Sequence, residues 1–138
     1  MNRRALVLAL LTAFALLVPA VALAGVKRGT YIEVKSQTYI VTNKAATSIK
    51  TFQFPCLVGG EQQGGNLIAK ALKISSKGAF SYKGKSTLQA GSKSVISVSI
   101  TGKFVDGKIK GTVTYLTDGV GCADRSYSAK YYGVNPQG

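Results

Sequence analysis

From residue 30 onward the chain runs in short apolar–polar alternations separated by clusters of Gly, Ser, Asn and Asp. No stretch keeps apolar residues three and four apart for the length of a helix. The period is two, which is the period of a strand. Residues 94–101 carry it most plainly: Ile96, Val98 and Ile100 lie on one side, Ser97, Ser99 and Thr101 on the other. Such a strand has one face on a core and one in water. Asp106-Gly107 predicts a two-residue hairpin turn, because both central residues of a type I′ turn need positive φ. It joins 102–105 to 108–117. In the second arm Ile109, Val113 and Tyr115 face in, and Lys108, Lys110, Thr112 and Thr114 face out. Gly111 falls on the inner side, where a large neighbour would cover it.

The earlier half reads the same way with weaker signals. Strands are expected at 30–35 and 38–42 around a Ser36-Gln37 turn, followed by a loop at 43–47. A third strand at 49–54 stops at Pro55. Its apolar residues Ile49, Phe52 and Phe54 shift phase once, which predicts a bulge. Residues 57–66 hold four glycines and read as the longest flexible loop. Residues 67–74 suit a strand or one helical turn, 75–78 a turn, and 79–83 a returning strand. Residues 118–125 form a loop, and 126–132 close the fold ahead of a loose tail at 135–138. Eight or nine short strands about ten residues apart predict an all-β domain, a single antiparallel β-sandwich or small β-barrel.

The first 24 residues break this pattern. Met1-Asn2-Arg3-Arg4 is basic, 5–18 is apolar but for Thr12, Pro19 would end a helix, and Ala22-Leu23-Ala24 offers small residues for cleavage. That order is the signature of a secretory signal peptide, and the apolar run falls short of a spanning helix. The expected organisation is a signal peptide at 1–24 and a secreted domain at 25–138 with no transmembrane helix. The place of action is extracellular or in the cell envelope.

Export changes how the two cysteines read. Cys56 and Cys122 would meet oxidising conditions, where paired thiols form a disulfide. Closing a loop of about 67 residues would stabilise the fold by roughly 4 kcal/mol on the chain-entropy model. The chain has no His, so two isolated cysteines make a poor zinc site, and their separation does not fit a Cys-x-x-Cys redox motif. No cofactor or metal is expected.

Charge is the most conspicuous feature. Loss of residues 1–24 removes Arg3 and Arg4, so the +13 of the whole chain becomes +11. Fourteen of the remaining basic residues are Lys; the others are Arg28 and Arg125. Lys108 and Lys110 share a strand face, Lys103 lies across the hairpin, and Lys83 and Lys85 are close in sequence. These five are the candidate anion-binding residues. Lysine is a point charge without the bidentate fork of Arg, which favours a diffuse field over a shaped pocket. Lysines also solubilise a surface and blunt sheet edges, and that reading stands beside the functional one.

Catalysis is hard to assemble here. Without His, the usual proton shuttle is missing. A Ser–Lys dyad has no distinguishing motif. The acidic residues are Glu33, Glu61, Asp106, Asp118 and Asp124. Asp106 is accounted for by its turn, Glu33 by a wet strand face, and Asp118 with Asp124 lacks a calcium-loop pattern. Lys77 to Tyr82 mixes basic and aromatic residues, but at the wrong spacing for an RNA-binding sheet, so no specific nucleic acid is expected. Tyr127 and Tyr131 share strand parity and are expected to cover an edge of the core; with Tyr132 they offer an alternative carbohydrate or peptide surface.

Gly29-Thr30-Tyr31, Phe52-Gln53-Phe54-Pro55-Cys56, Ile100-Thr101-Gly102-Lys103-Phe104 and Gly111-Thr112-Val113 resemble phrases of small secreted bacterial two-cysteine β-proteins of no assigned function. The resemblance implies a β fold and a Cys56–Cys122 bridge, and it carries over no active site. The expectation is therefore a secreted or envelope-associated, non-enzymatic binding module. Its candidate ligand is an anionic cell-wall or extracellular polymer, held on lysine-rich strand faces. The alternatives are a small carboxylate-dependent hydrolase, a hydrolase inhibitor presenting the Gly-rich segment 58–65, and a barrel holding a small apolar ligand.

Overall fold

The computed structural model describes residues 25–58, 61–63, 66–87, 95–115 and 125–134. Ten strands follow in chain order: β1 Thr30–Glu33, β2 Thr38–Thr42, β3 Ser48–Gln53, β4 Cys56–Val58, β5 Glu61–Gln63, β6 Leu72–Lys73, β7 Ala79–Thr87, β8 Val95–Val105, β9 Lys108–Tyr115 and β10 Arg125–Gly133. There is no helix among the described residues. Eight strands form one antiparallel sheet in the order β6-β3-β2-β1-β10-β9-β8-β7, and β4 and β5 pair separately as a ribbon. The large sheet curls until β6 and β7 come beside each other, giving a nearly closed barrel.

The alternation expected at 94–101 is present, and it continues without a break. Ile96, Val98, Ile100 and Phe104 are all buried, so the segments read as 94–101 and 102–105 are one strand, β8. Gly102 does not interrupt it because Gly102 lies opposite Gly111, and large rings fill the space the two glycines leave. A Cβ on Gly111 would overlap the Thr101 carbonyl oxygen and sit 2.6 Å from the Tyr127 hydroxyl. That hydroxyl donates to the Thr101 carbonyl at 2.7 Å. The cover expected over Gly111 is thus Tyr127, an aromatic ring shielding backbone where no side chain fits. The hairpin at Asp106-Gly107 also has the expected geometry, with φ of 49° and 73°.

The bulge expected in the third strand lies at Lys50. Val41 pairs with Thr51, but Thr42 pairs with Ile49, leaving one extra residue on β3. The extra residue lets Ile49 and Phe52, three apart, both point into the core. Asn43 shapes the preceding loop, its Oδ1 accepting from the Thr47 and Ser48 N–H groups at 2.8 and 3.1 Å.

Two expectations need correcting. Residues 57–66 are not wholly a loop, since Cys56–Val58 pairs with Glu61–Gln63 across a two-residue connection, a hairpin length that needs no long flexible segment. In 67–74, only Leu72 and Lys73 pair with β3, and no helical turn forms. Leu67, Ile68, Leu72 and Ile74 are buried there, Leu72 on β6 and the other three on irregular chain. The loop expected at 118–125 lies outside the described residues except for Arg125, which instead begins β10 and pairs with Val113, and the tail at 135–138 lies outside them too.

Rings fill the interior. A continuous run of edge-to-face contacts links Tyr131, Tyr31, Phe104, Phe80, Phe52, Tyr127 and Phe54, with centroids 5.3 to 6.5 Å apart. Such pairs add to the burial of area alone. Phe52 touches Phe80 of β7 and Tyr127 of β10, so one side chain bridges the two halves of the barrel. The seam between β6 and β7 is closed by side chains. The Ala69 N–H donates across it to the Tyr82 hydroxyl at 3.3 Å, and Ser86 Oγ donates across it to the Asn66 carbonyl at 3.1 Å, while Tyr82 is held by donating to the Lys85 carbonyl of its own strand at 3.1 Å.

Candidate anion-binding face

The inward parity of Phe104, Ile109 and Ala129 forces their strand neighbours outward. Lys103 on β8 stands directly opposite Lys110 on β9. Lys108 on β9 stands directly opposite Lys130 on β10. The two pairs lie in adjacent rows, because Lys108 and Lys110 are two residues apart on one strand. Strands spaced about 4.8 Å and i,i+2 positions about 7 Å apart make this a compact array of four ammonium groups over three strands. Lys103, Lys110 and Lys130 are exposed, and Lys108 is half-buried.

Next to this array the face turns to hydroxyls. Thr101 and Thr112, opposite one another, share a hydrogen bond between their Oγ1 atoms at 2.9 Å. Lys83 pairs with Ser99 and Lys85 with Ser97, both exposed on β7. Ala79 is the β7 residue opposite Lys103, so Lys83 stands about 14 Å further along the strand at the usual rise. The five lysines expected as one group therefore divide: Lys103, Lys108 and Lys110 come together, and Lys83 and Lys85 form a separate pair. Lys130 belongs to the array and was not among the expected residues. Its outward parity is readable from Tyr127 and Tyr131, but its partner is set by the register Ala129 to Ile109, which no local pattern announces.

Glu33 is half-buried, not simply on a wet face. Its carboxylate accepts from Ser36 Oγ and from the Ser128 N–H at 3.1 Å, tying the β1–β2 turn to β10. Asp106 occupies its turn, exposed. Asp118 and Asp124 lie outside the described residues, as does the side chain of Glu61. Among the described residues there is no group of three or more His, Cys, Asp or Glu side chains that could hold a metal ion. No helix among them is long and apolar enough to cross a membrane. Cys56 is buried at the start of β4; Cys122 lies outside the described residues.

Of the tyrosines expected to cover an edge of the core, Tyr127 is buried and Tyr131 partly so, packed on Tyr31. Tyr132 points away and is 79% exposed. Burial pushes the Tyr127 hydroxyl well above the ordinary tyrosine range and the Tyr115 hydroxyl up to about 12. Tyr115 donates to the Phe54 carbonyl at 2.6 Å. Tyr31 is raised by burial too, partly offset by the hydrogen bond its phenolic oxygen accepts from the Lys27 N–H at 3.0 Å. These hydroxyls anchor the core and have structural partners.

Compared with family models, curated proteins and solved structures, the chain matches none.

Proposed function

We propose that the chain is exported by its first 24 residues and acts outside the cytoplasm as a non-enzymatic binding module. Its ligand is an anionic polymer of the cell wall or extracellular matrix, and its binding face is the array of Lys103, Lys108, Lys110 and Lys130. The observation that carries this reading is the pairing itself. Like charges directly opposite on neighbouring strands repel each other and weaken a sheet, yet two such pairs stand side by side here. A polyanion lying across the rows would convert that repulsion into attraction. Ammonium groups without a fork favour repeated charge over one shaped group. As part of the same reading, Cys56 and Cys122 form a disulfide that staples the first residue of the ribbon to the chain ahead of β10. The burial of Cys56 supports it.

The test is retention on immobilised heparin and on purified cell wall at physiological salt. The reading expects elution well above the salt that releases a control protein of equal net charge. Co-elution with that control would refute it.

A further inference from the structure

A second basic site lies on the outer side of β1, β2 and β3, next along the sheet from the lysine array, whose Lys130 pairs with Ile32 on β1. It is a depression of about 30 Å³ lined by Arg28, Gly29, Thr30, Val41, Thr42, Lys44, Lys50 and Val134. Two threonine hydroxyls border it, and they differ. Thr42 Oγ1 accepts from the Gly29 N–H at 2.8 Å and donates to the Gly29 carbonyl at 3.3 Å. Thr30 is 3% exposed, and its Oγ1 has no hydrogen-bond partner within the protein. A buried hydroxyl left unpaired is costly and calls for an explanation.

The surroundings supply one. Arg28, Lys44 and Lys50 reach the depression from three separate elements: the segment before β1, the β2–β3 loop and the β3 bulge. Arg28 is carried on fixed backbone, because its carbonyl accepts from the Tyr131 hydroxyl at 3.0 Å. The Thr42 N–H donates to the Gly29 carbonyl at 3.0 Å on the next residue. Val41 and Val134 form apolar walls, where hydrogen bonds to charge are stronger than in open water.

We propose that this depression binds a tetrahedral oxyanion, a phosphate or sulfate group, with Thr30 Oγ1 donating from the floor and Arg28, Lys44 and Lys50 closing over it. The depression admits one or two oxygens of such a group, about 10–15 Å³ each, with the remaining oxygens and any attached chain lying outside. Arg28 supplies the planar fork suited to adjacent phosphate oxygens. This site differs from the lysine array in what it takes: one group by shape, where the array takes repeated charge.

The experiment measures the thermal midpoint and amide chemical shifts of the full mature chain. The additions are inorganic phosphate, inorganic sulfate, glycerol phosphate or chloride at matched ionic strength. Phosphate or sulfate should raise the midpoint beyond chloride and shift the amides of Gly29, Thr30, Val41 and Lys50. Response to glycerol phosphate equal to or above inorganic phosphate would assign the group to a chain end; a weaker one would assign it to the free ion. Thr30→Val should fold with an unchanged or raised midpoint in chloride and bind the oxyanion about tenfold more weakly, the effect of one lost hydrogen bond to a charged group. Thr30→Ser should keep the response, and Arg28→Gln, at an exposed position, should lose it without unfolding. Equal responses to chloride and phosphate, or a full response in Thr30→Val, would overturn the proposal. Shifts centred on Lys103 and Lys110 would overturn it too, while leaving the lysine-array reading standing.

Discussion

The two halves of the barrel are built on different rules. Strands β7 to β10 run 8 to 11 residues with near-perfect alternation, joined at the described connection by a tight turn. Strands β1, β2, β3 and β6 run 2 to 6 residues, interrupted by bulges and held by side-chain hydrogen bonds from Asn43, Thr42 and Asn66. The long-strand half keeps its register, and its lysines fall in rows on the outer face. The short-strand half is irregular, and its irregularity makes a concavity with a buried hydroxyl in it. Both halves are basic. What separates them is that regular strands arrange charge over a surface, whereas bulges and loops gather it around a point.

The sharpest way to break the barrel into its halves is to remove the ring that bridges them. Phe52→Ala should lose about 3–5 kcal/mol, read as a reduced urea midpoint with cooperative unfolding. Next comes the long-strand half alone. Gly111→Val would drive a side chain into the Thr101 carbonyl and displace Tyr127, and we expect a loss of about 3 kcal/mol. The same substitution at Gly107, where an added Cβ would meet no atom within 4 Å, should cost less, through the turn's positive φ only.

Alkaline pH tests two buried hydroxyls, that of Tyr115, which joins the halves through the Phe54 carbonyl, and that of Tyr127, which joins β10 to β8 through the Thr101 carbonyl. Tyr115 and Tyr127 have folded-state pKa values raised above 10. The folded protein then holds those protons more tightly than the unfolded chain. Their stabilisation is complete below pH 10 and is lost as pH rises through 10 toward 12 and beyond. The loss near pH 12 should be on the order of 1–2 kcal/mol once the part of each ring still near solvent is discounted. Tyr115→Phe should show a shallower decline over the same window. In the short-strand half, Asn43→Ala removes the acceptor for two backbone N–H groups and should cost about 1 kcal/mol.

Legibility in the sequence follows the same divide. Ile96 to Ile100 alternate against serines, and Asp106-Gly107 can make one kind of turn, so β8, β9 and their hairpin could be read residue by residue. The need for a cover over Gly111 was readable, but its identity was not, because Tyr127 arrives through the pairing of β10 with β9. The Lys50 bulge showed as a phase slip between Ile49 and Phe52. The ribbon at Cys56 was hidden by its glycines, which suit a loop and a tight hairpin equally. Lys130 and the Thr30 depression were not legible at all. Each depends on contacts between strands, from Thr30 with Val41 to Lys108 with Lys130, and no short-range pattern encodes them.

The array is the part of this account on which function rests, and its salt dependence tests it most directly. Heparin affinity would be measured across a salt series for the unaltered protein, for Lys103→Gln with Lys110→Gln, and for Lys70→Gln with Lys73→Gln, which removes equal charge from exposed positions beside β6. If the opposed lysines hold the polymer, the first double variant should lower the slope of log affinity against log salt by about two, one for each lost contact. The second should leave the slope nearly unchanged. Equal losses in both variants would show that the protein responds to net charge alone, and would contradict a binding face on β8, β9 and β10.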